Sequence, residues 1–575
     1  MTLRKGDFSN LPESLDYAAR GESGITLYSG RGEIVENLLY RDLRDEALAI
    51  ARKLRRIGLR PDDRVALIAS SDGDFIRMFF GCQYAGLVPA PMPLPLAFGG
   101  RAAYLRHIRR MIETAGAAAA FAPDALASWL AEATEGLDLA WSGTVADLAT
   151  LPEAGEDLPA IPGGNLAYLQ FSSGSTRFPV GVAVTQQALM SNVRTIIRDG
   201  LDVRPGDRCT SWLPLYHDMG LVGFLLTPVA AQLSVDLLPT QEFARRPLIW
   251  PTLISRNGGT LSFSPSFGYD LCARRAETAA TDGIDLSSWR VAGIGGDMIR
   301  AGVLGRFAAS FRENGFRDAA FVASYGMAEA TLAVSFAPLG RGLVTDRLDV
   351  DRLERDGVAV PPASERGRAR EFARCGPVLP EHQLQVRGPD GEVLPGQRVG
   401  RIFLHGPSLM LEYYRLPLAT AATIGADGWL DTGDLGYLVD GQVVITGRAK
   451  DLILMNGRNI APQDLEWTVE HELPGVKDGD VAAFSVDAGE AERVLLLVQC
   501  RTGDPERRAA LRNDVEALVR KLHGIECEAV LVPHNSLPQT SSGKLSRSRA
   551  RQLYLDHAFD APTADHQTRD AASVG

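Results

Sequence analysis

Cysteine is scarce in this chain: 6 among 575 residues, at positions 82, 209, 272, 375, 500 and 527. They are scattered, with no C-x-x-C pair, which argues against both a metal cage and a disulfide framework and fits a reducing cytoplasm. Runs of Lys or Arg are lacking too, and the formal charge is −11. Neither nucleic acid nor an anionic membrane surface is therefore an expected partner. Long apolar runs are also missing. The uncharged stretch from Met219 to Val235 is interrupted by Pro228 and Gln232 and barely reaches the roughly 20 residues of a membrane span; a buried helix and strand are expected there. The first twenty residues have no apolar core behind their basic positions, so no secretory leader is expected and a cytosolic location is. Finally, there is no G-x-x-x-x-G-K-[ST] loop, no G-x-S-x-G elbow and no H-E-x-x-H pair, which removes three common ATP and hydrolase readings.

What is present is an ordinary globular composition, 45% hydrophobic, in a chain long enough for several domains. Strand-like apolar runs alternate with amphipathic stretches. Arg64 to Ala69 is followed by a helical pattern over Phe75 to Gly86, and then by Leu87 to Met92. Similar runs recur at Ala118 to Phe121, Leu166 to Phe171, Thr260 to Phe263 and Arg290 to Ile294, and this rhythm predicts an α/β fold of parallel-sheet units. From about Cys375 the texture changes to short strands with turns at Pro389-Asp-Gly, Pro395-Gly and Asp440-Gly, which predicts a β-rich subdomain of hairpins. A third texture follows. Leu452 to Met455, a helical Asp464 to Glu472, a strand-like Arg493 to Cys500 and a helical Arg507 to His523 predict a small α+β terminal domain. The expected layout is an N-terminal domain over 1–447, with its β-rich part at about 375–447, a hinge at 448–450, a C-terminal domain over 451–559 and a disordered tail at 560–575.

Seven clusters place polar or charged groups beside glycine at the ends of apolar runs. The first is the loop Ser172, Ser173, Gly174, Ser175 and Thr176, whose backbone N–H groups and hydroxyls can converge on phosphate oxygens, although such clusters are more often ordinary turns. The second, Leu213 to Gly220, carries His217; a lone His in such a run is more often structural than functional. The third, Gly293 to Met298, offers Gly295, Gly296 and Asp297 as a wall for a flat ligand, or simply a tight turn. In the fourth, Tyr325 and Gly326 precede Glu329, an aromatic ring able to stack on a base beside a carboxylate able to hold a hard cation. The fifth contains Asp434, whose carboxylate can accept from two ribose hydroxyls. The sixth is Gly447 to Asp451, with Arg448 and Lys450, and the last is the Lys544 loop, Leu537 to Lys544.

In this order the seven clusters resemble the adenylate-forming superfamily of acyl-CoA synthetases, luciferases and nonribosomal-peptide adenylation domains, over about residues 25 to 555. Within it, Tyr168 to Arg177, Tyr325 to Thr331 and Gly457 to Asp464 look like the motifs of fatty acyl-AMP ligases. Where acyl-CoA synthetases commonly end the phosphate loop in Pro-Lys-Gly, this chain has Pro179-Val-Gly. The missing Lys fits the acyl-AMP ligases and leaves Arg177 as a candidate substitute. The segment from Ala337 to Glu371, long and charged with adjacent prolines at 361 and 362, looks like the insertion that hinders CoA thioester formation in those ligases; a surface loop without structure is the alternative.

The resemblance implies ATP-dependent activation of a fatty acid to acyl-adenylate with release of pyrophosphate, followed by transfer to the phosphopantetheine thiol of an acyl carrier protein or a synthase carrier domain. It implies Lys544, Glu329 and His217 as catalytic, with Glu329 holding Mg2+. Ser172 to Thr176, Gly295, Gly296, Asp297, Tyr325, Gly326, Asp434 and Arg448 would bind ATP and AMP, and the terminal domain would turn about Lys450. Trp212, Met219, Phe224, Phe263 and Phe267 are candidates for an acyl tunnel, with core packing as the alternative. A complete acyl-CoA synthetase and a non-catalytic acyl- or nucleotide-binding protein on the same fold are the competing readings.

Overall fold

The computed structural model describes residues 2–95, 100–153, 157–172, 179–364, 367–455, 458–487, 492–540 and 544–559. They divide into two compact units, one formed by 1–353 and 357–446, the other by 354–356 and 447–575.

The first unit is built on four sheets. The largest has eight strands in the order Ala333–Phe336, Phe321–Gly326, Val291–Ile294, Leu261–Ser264, Arg208–Ser211, Ser234–Leu237, Gly24–Tyr28 and Ile34–Leu39. Its interior pairs are parallel and the two edge pairs antiparallel. Leu261–Ser264 and Val291–Ile294 are buried at every position, as strands covered on both faces must be, and their sequences are accordingly apolar or small throughout. A second sheet of four parallel strands, Val88–Met92, Arg64–Ile68, Ala117–Ala122 and Trp141–Thr144, repeats the pattern. The helix Gly73–Tyr84 that connects two of these strands starts where the Asp72 carboxylate accepts from the Phe75 N–H at 2.9 Å, a side-chain cap for one of the amides that a first helical turn leaves open. Met219 to Val235 is helix running into strand, buried along most of its length.

Two expectations need correction. The run Leu166–Ser172 is not followed by a helix: it pairs antiparallel with Val180–Thr185, and Glu412–Tyr413 adds a third strand on the far side of Val180–Thr185. The serine- and glycine-rich segment therefore connects two arms of a hairpin, and residues 173–178 within it lie outside the described residues. The β-rich subdomain also begins before Cys375. Its six strands run Thr345–Asp349, Ala369–Pro377, Gln442–Arg448, Leu430–Val439, Gly400–His405 and Gln383–Arg387, so the long charged segment supplies an edge strand and the start of its neighbour. Leu348, Ala359, Phe372, Tyr437, Val439 and Val444 form a small core there, and the helix Val350–Asp356 is capped by the Asp349 carboxylate. An unstructured loop is excluded for the described part of 337–371. The Asp440-Gly441 turn holds φ at 50° and 73°, the left-handed pair that a two-residue hairpin loop requires.

In the second unit, Val481–Asp487, Glu492–Cys500 and Glu528–Pro533 form a three-stranded sheet, antiparallel in its first pair and parallel in its second. The helices Pro462–Glu472 and Pro505–His523 contribute Leu465, Val469, Val515 and Val519 to its core. The expected tail at 560–575 lies outside the described residues.

Candidate active site

Tyr325 and Asp434 meet. They stand 109 positions apart, yet the Tyr325 hydroxyl donates to Asp434 Oδ2 at 2.7 Å, and each residue is 8% exposed. Tyr325 lies on Phe321–Gly326, the last parallel strand of the large sheet, and Asp434 on Leu430–Val439 of the six-stranded sheet. The Asp434 amide also donates to Thr432 Oγ1 at 3.1 Å. The ring expected to stack on a base and the carboxylate expected to hold a ribose thus share one spot in the first unit.

Glu329 occupies a tight turn between Phe321–Gly326 and its antiparallel partner Ala333–Phe336. The close approach demands glycine at Gly326, where a Cβ would lie 1.9 Å from the Leu332 carbonyl oxygen. Thr331 closes the turn at a φ of 70°, a costly conformation for a β-branched residue. It is held by its own hydroxyl, which donates to the Ser408 carbonyl at 2.7 Å. Glu329 is 7% exposed; its carbonyl accepts from the Met410 amide and its Oε1 from the Tyr413 hydroxyl, both at 2.8 Å. Burial and the neighbouring Glu329 charge push the Tyr413 phenol well above its usual range, so it remains a donor at neutral pH.

Met410 and Tyr413 belong to a stretch whose other amides face the hairpin of the phosphate loop. Leu411 N donates to the Ala183 carbonyl at 2.9 Å and Tyr414 N to the Gly181 carbonyl at 2.7 Å. One short stretch therefore ties the Glu329 turn to the strand that leaves the loop. On the incoming strand, the Gln170 amide donates to the Tyr216 carbonyl at 2.8 Å and brings the His217 segment alongside. His217 Nδ1 lies 2.6 Å from Asp218 Oδ1. Among the described residues, Gln170 Oε1 and Ser172 Oγ are buried without a hydrogen-bond partner.

The third glycine cluster packs against the same strand. A Cβ on Gly295 would come within 2.5 Å of Ser324 Oγ; Gly296 has a φ of 78° and Asp297 is exposed. The candidate tunnel residues are mostly packed core. Trp212 is 1% exposed and stacks on Phe243 at 3.9 Å, and Phe224, Phe263 and Phe336 form an edge-on series. Met219 is buried, while Phe267 is 39% exposed. Of the loop residues, Ser173, Gly174, Ser175 and Thr176 lie outside the described residues.

Arg448, Lys450 and Lys544 belong to the second unit. Lys544 closes a small loop: its carbonyl accepts from Thr540 N at 2.7 Å and its amide donates to Thr540 Oγ1 at 3.2 Å. Three residues on, Arg547 forks onto the buried Glu466 carboxylate at 2.7 and 2.6 Å, which anchors the helix after the loop. Also within this unit, Arg458 pairs with Glu354, itself 3% exposed.

Tyr413 and Ser408 were not legible in the sequence, and Gln170 and Thr331, though inside quoted motifs, were given no role of their own. An aromatic in a short strand and a glutamine in an apolar one carry no signal of their own, and their role appears only through partners 84, 77 and 46 positions away.

Comparison with known proteins identifies the relatives of the whole chain. The family model described as AMP-binding enzyme matches residues 18–414. A Caulobacter vibrioides protein provisionally named an acyl-CoA synthetase is 56% identical over 554 residues, 96% of each chain. The medium-chain fatty acid–[acyl-carrier-protein] ligase JamA of Moorena producens is 33% identical over 588 residues, 97% of each chain. A solved structure from a study of the fatty acyl-adenylate ligases of E. coli and L. pneumophila superposes with a TM-score of 0.92 at 43% identity, covering 97% of this chain and 100% of the other. The chain belongs to the AMP-binding enzyme family, the adenylate-forming enzymes that its motifs resemble.

Proposed function

We propose that the protein activates a medium- or long-chain fatty acid as its acyl-adenylate and passes the acyl group to the phosphopantetheine thiol of an acyl carrier protein. The observation that carries the nucleotide half of this reading is the meeting of Tyr325 with Asp434, with Glu329 four residues further along the same turn. The acyl and carrier halves are supported by the names of the relatives at 33% and 43% identity.

In the first step a carboxylate oxygen of the acid bonds to the α-phosphorus of ATP, the bond from that phosphorus to the β-bridging oxygen breaks, and pyrophosphate leaves with the electron pair. Tyr325 holds the base and Asp434 the ribose, so the α-phosphate has a fixed position, with Arg448 adding a ribose contact. Both reactants are anions, and preorganised positive charge and donors offset the charge that builds up. The loop from Ser172 to Thr176 and Lys544 supply these. Glu329, an oxygen donor in a site with no cluster of three metal-ligating side chains among the described residues, fits Mg2+, which takes one or two carboxylates and completes its shell with phosphates and water. Bound there, the ion would neutralise phosphate charge. In the second step the carrier thiol loses its proton to solvent, its sulfur bonds to the acyl carbon, the bond from that carbon to the phosphate oxygen breaks, and AMP leaves with the electron pair.

A CoA thioester as the final product is the second reading, favoured by the name of the 56% identical relative. The missing Lys at Val180 and the structured segment after Ala337 support the carrier instead. The test of the acyl assignment is pyrophosphate release over a series of acids. Each buried methylene contributes about 0.8 kcal/mol, so kcat/KM should climb about fourfold per carbon until the site is filled. Equal kcat/KM for acetate and laurate would overturn it.

A further inference from the structure

We propose that Tyr413 is a positioning residue that fixes the Glu329 carboxylate for the metal–nucleotide complex and ties it to the strand Val180–Thr185; this rests on the assignment of Glu329 to magnesium given above. The stretch from Ser408 to Tyr414 holds two neighbours at once. Its Ser408 carbonyl accepts from the Thr331 hydroxyl and its Met410 amide donates to the Glu329 carbonyl, while its Leu411 and Tyr414 amides donate to the Ala183 and Gly181 carbonyls. The strand Glu412–Tyr413 puts Tyr413 opposite Val182, two residues beyond the start of the strand that leaves the loop. The Tyr413 hydroxyl reaches the Glu329 side chain itself, donating to Oε1 at 2.8 Å. Its backbone is itself pinned, with Tyr413 N donating to Thr420 Oγ1 at 3.0 Å.

A carboxylate with one oxygen engaged by a phenol can present the other along a fixed direction. Mg2+ demands near-ideal octahedral geometry and tolerates little displacement of a ligand, and outer partners that orient such ligands typically change metal affinity about 10- to 100-fold when removed. Tyr413 touches neither substrate nor metal in this account. It acts through Glu329, so its effect must depend on the metal and on that carboxylate.

The experiment uses the full chain carrying Tyr413→Phe, Glu329→Gln, and both. Calorimetric titration with ATP is run in excess Mg2+ and again in EDTA, and Mn2+ binding in the presence of ATP is followed by paramagnetic resonance. Tyr413→Phe is expected to weaken ATP binding in Mg2+ by about tenfold, to leave binding in EDTA unchanged, and to add nothing further when Glu329 is already Gln, as a double-mutant cycle requires of a residue acting through another. Thermal melting of Tyr413→Phe should stay near that of the parent. Parental Mg2+-dependent binding by Tyr413→Phe, an equal loss in Mg2+ and EDTA, or a full loss persisting in the Glu329→Gln background would each overturn the positioning role. If Glu329→Gln alone left Mg2+-dependent binding intact, the metal assignment itself would fall, and the positioning role with it.

Discussion

In the proposed reaction Lys544 is the residue on which the chemistry depends most. Its carbonyl accepts from the Thr540 amide, and three residues on Arg547 is anchored on Glu466. Losing a preorganised donor of this kind costs about 3 kcal/mol, so Lys544→Ala should slow adenylation by roughly 100-fold, measured as single-turnover formation of acyl-AMP. A rate within about threefold of the parent would contradict the assignment. A second residue-scale consequence concerns His382. His382 Nδ1 lies 2.9 Å from the Pro380 carbonyl and Nε2 2.6 Å from Ser408 Oγ, whose hydroxyl also reaches the Ala330 carbonyl at 3.2 Å. Burial, reinforced by His405 and only partly opposed by Pro380, Glu381 and Leu379, holds the imidazole below its ordinary value of 6.5. The unfolded chain therefore binds this proton first as the pH falls. Stability from the neutral imidazole is complete above about 6.5, declines below it, and stops declining once the folded form also titrates. Urea unfolding of the parent should weaken between pH 7 and 5 more than that of His382→Gln; identical slopes would remove His382 from the account.

At the scale of elements, the parallel strands were legible because a strand buried on both faces must be a continuous apolar run, as Val291 to Ile294 is. The hairpin of Leu166–Ser172 and Val180–Thr185 was not, since a polar glycine-rich connector reads alike before a helix or a strand. The edge strand Thr345–Asp349 was hidden for another reason: only Leu348 among its five residues is buried, so it lacks the alternation that marks a half-buried strand. Charged, short edge strands of this kind also discourage pairing with other chains. The strand has a practical consequence. Removing residues 337–371 to test for CoA activity would take out Thr345–Asp349 and the start of Ala369–Pro377, exposing Tyr437, Val439 and Val444. Such a deletion is expected to lower the melting temperature sharply or to yield no soluble protein, and a deletion variant that melts like the parent would show that this core contributes little. Point changes on the exposed face of Val350–Asp356 are the better probe of acceptor choice.

For the whole molecule, the order of the seven clusters was readable in sequence, while the meeting of residues within the first unit was not. Nothing local relates Tyr325 to Asp434 or Glu329 to Tyr413; the large sheet, the six-stranded sheet and the loop hairpin bring these pairs together. The boundary between the two units at Thr446 and Gly447 falls at the change of texture in the sequence, with Lys450 just beyond. No helix among the described residues is long and apolar enough to cross a membrane. The central claim is that this chain makes acyl-adenylate and hands it to a carrier thiol, and product analysis tests it most directly. With ATP, Mg2+, laurate, a phosphopantetheinylated carrier protein and CoA together, mass spectrometry should find acyl-AMP and acyl-carrier with little acyl-CoA. Acyl-CoA as the main product, or ADP in place of AMP, would contradict the account.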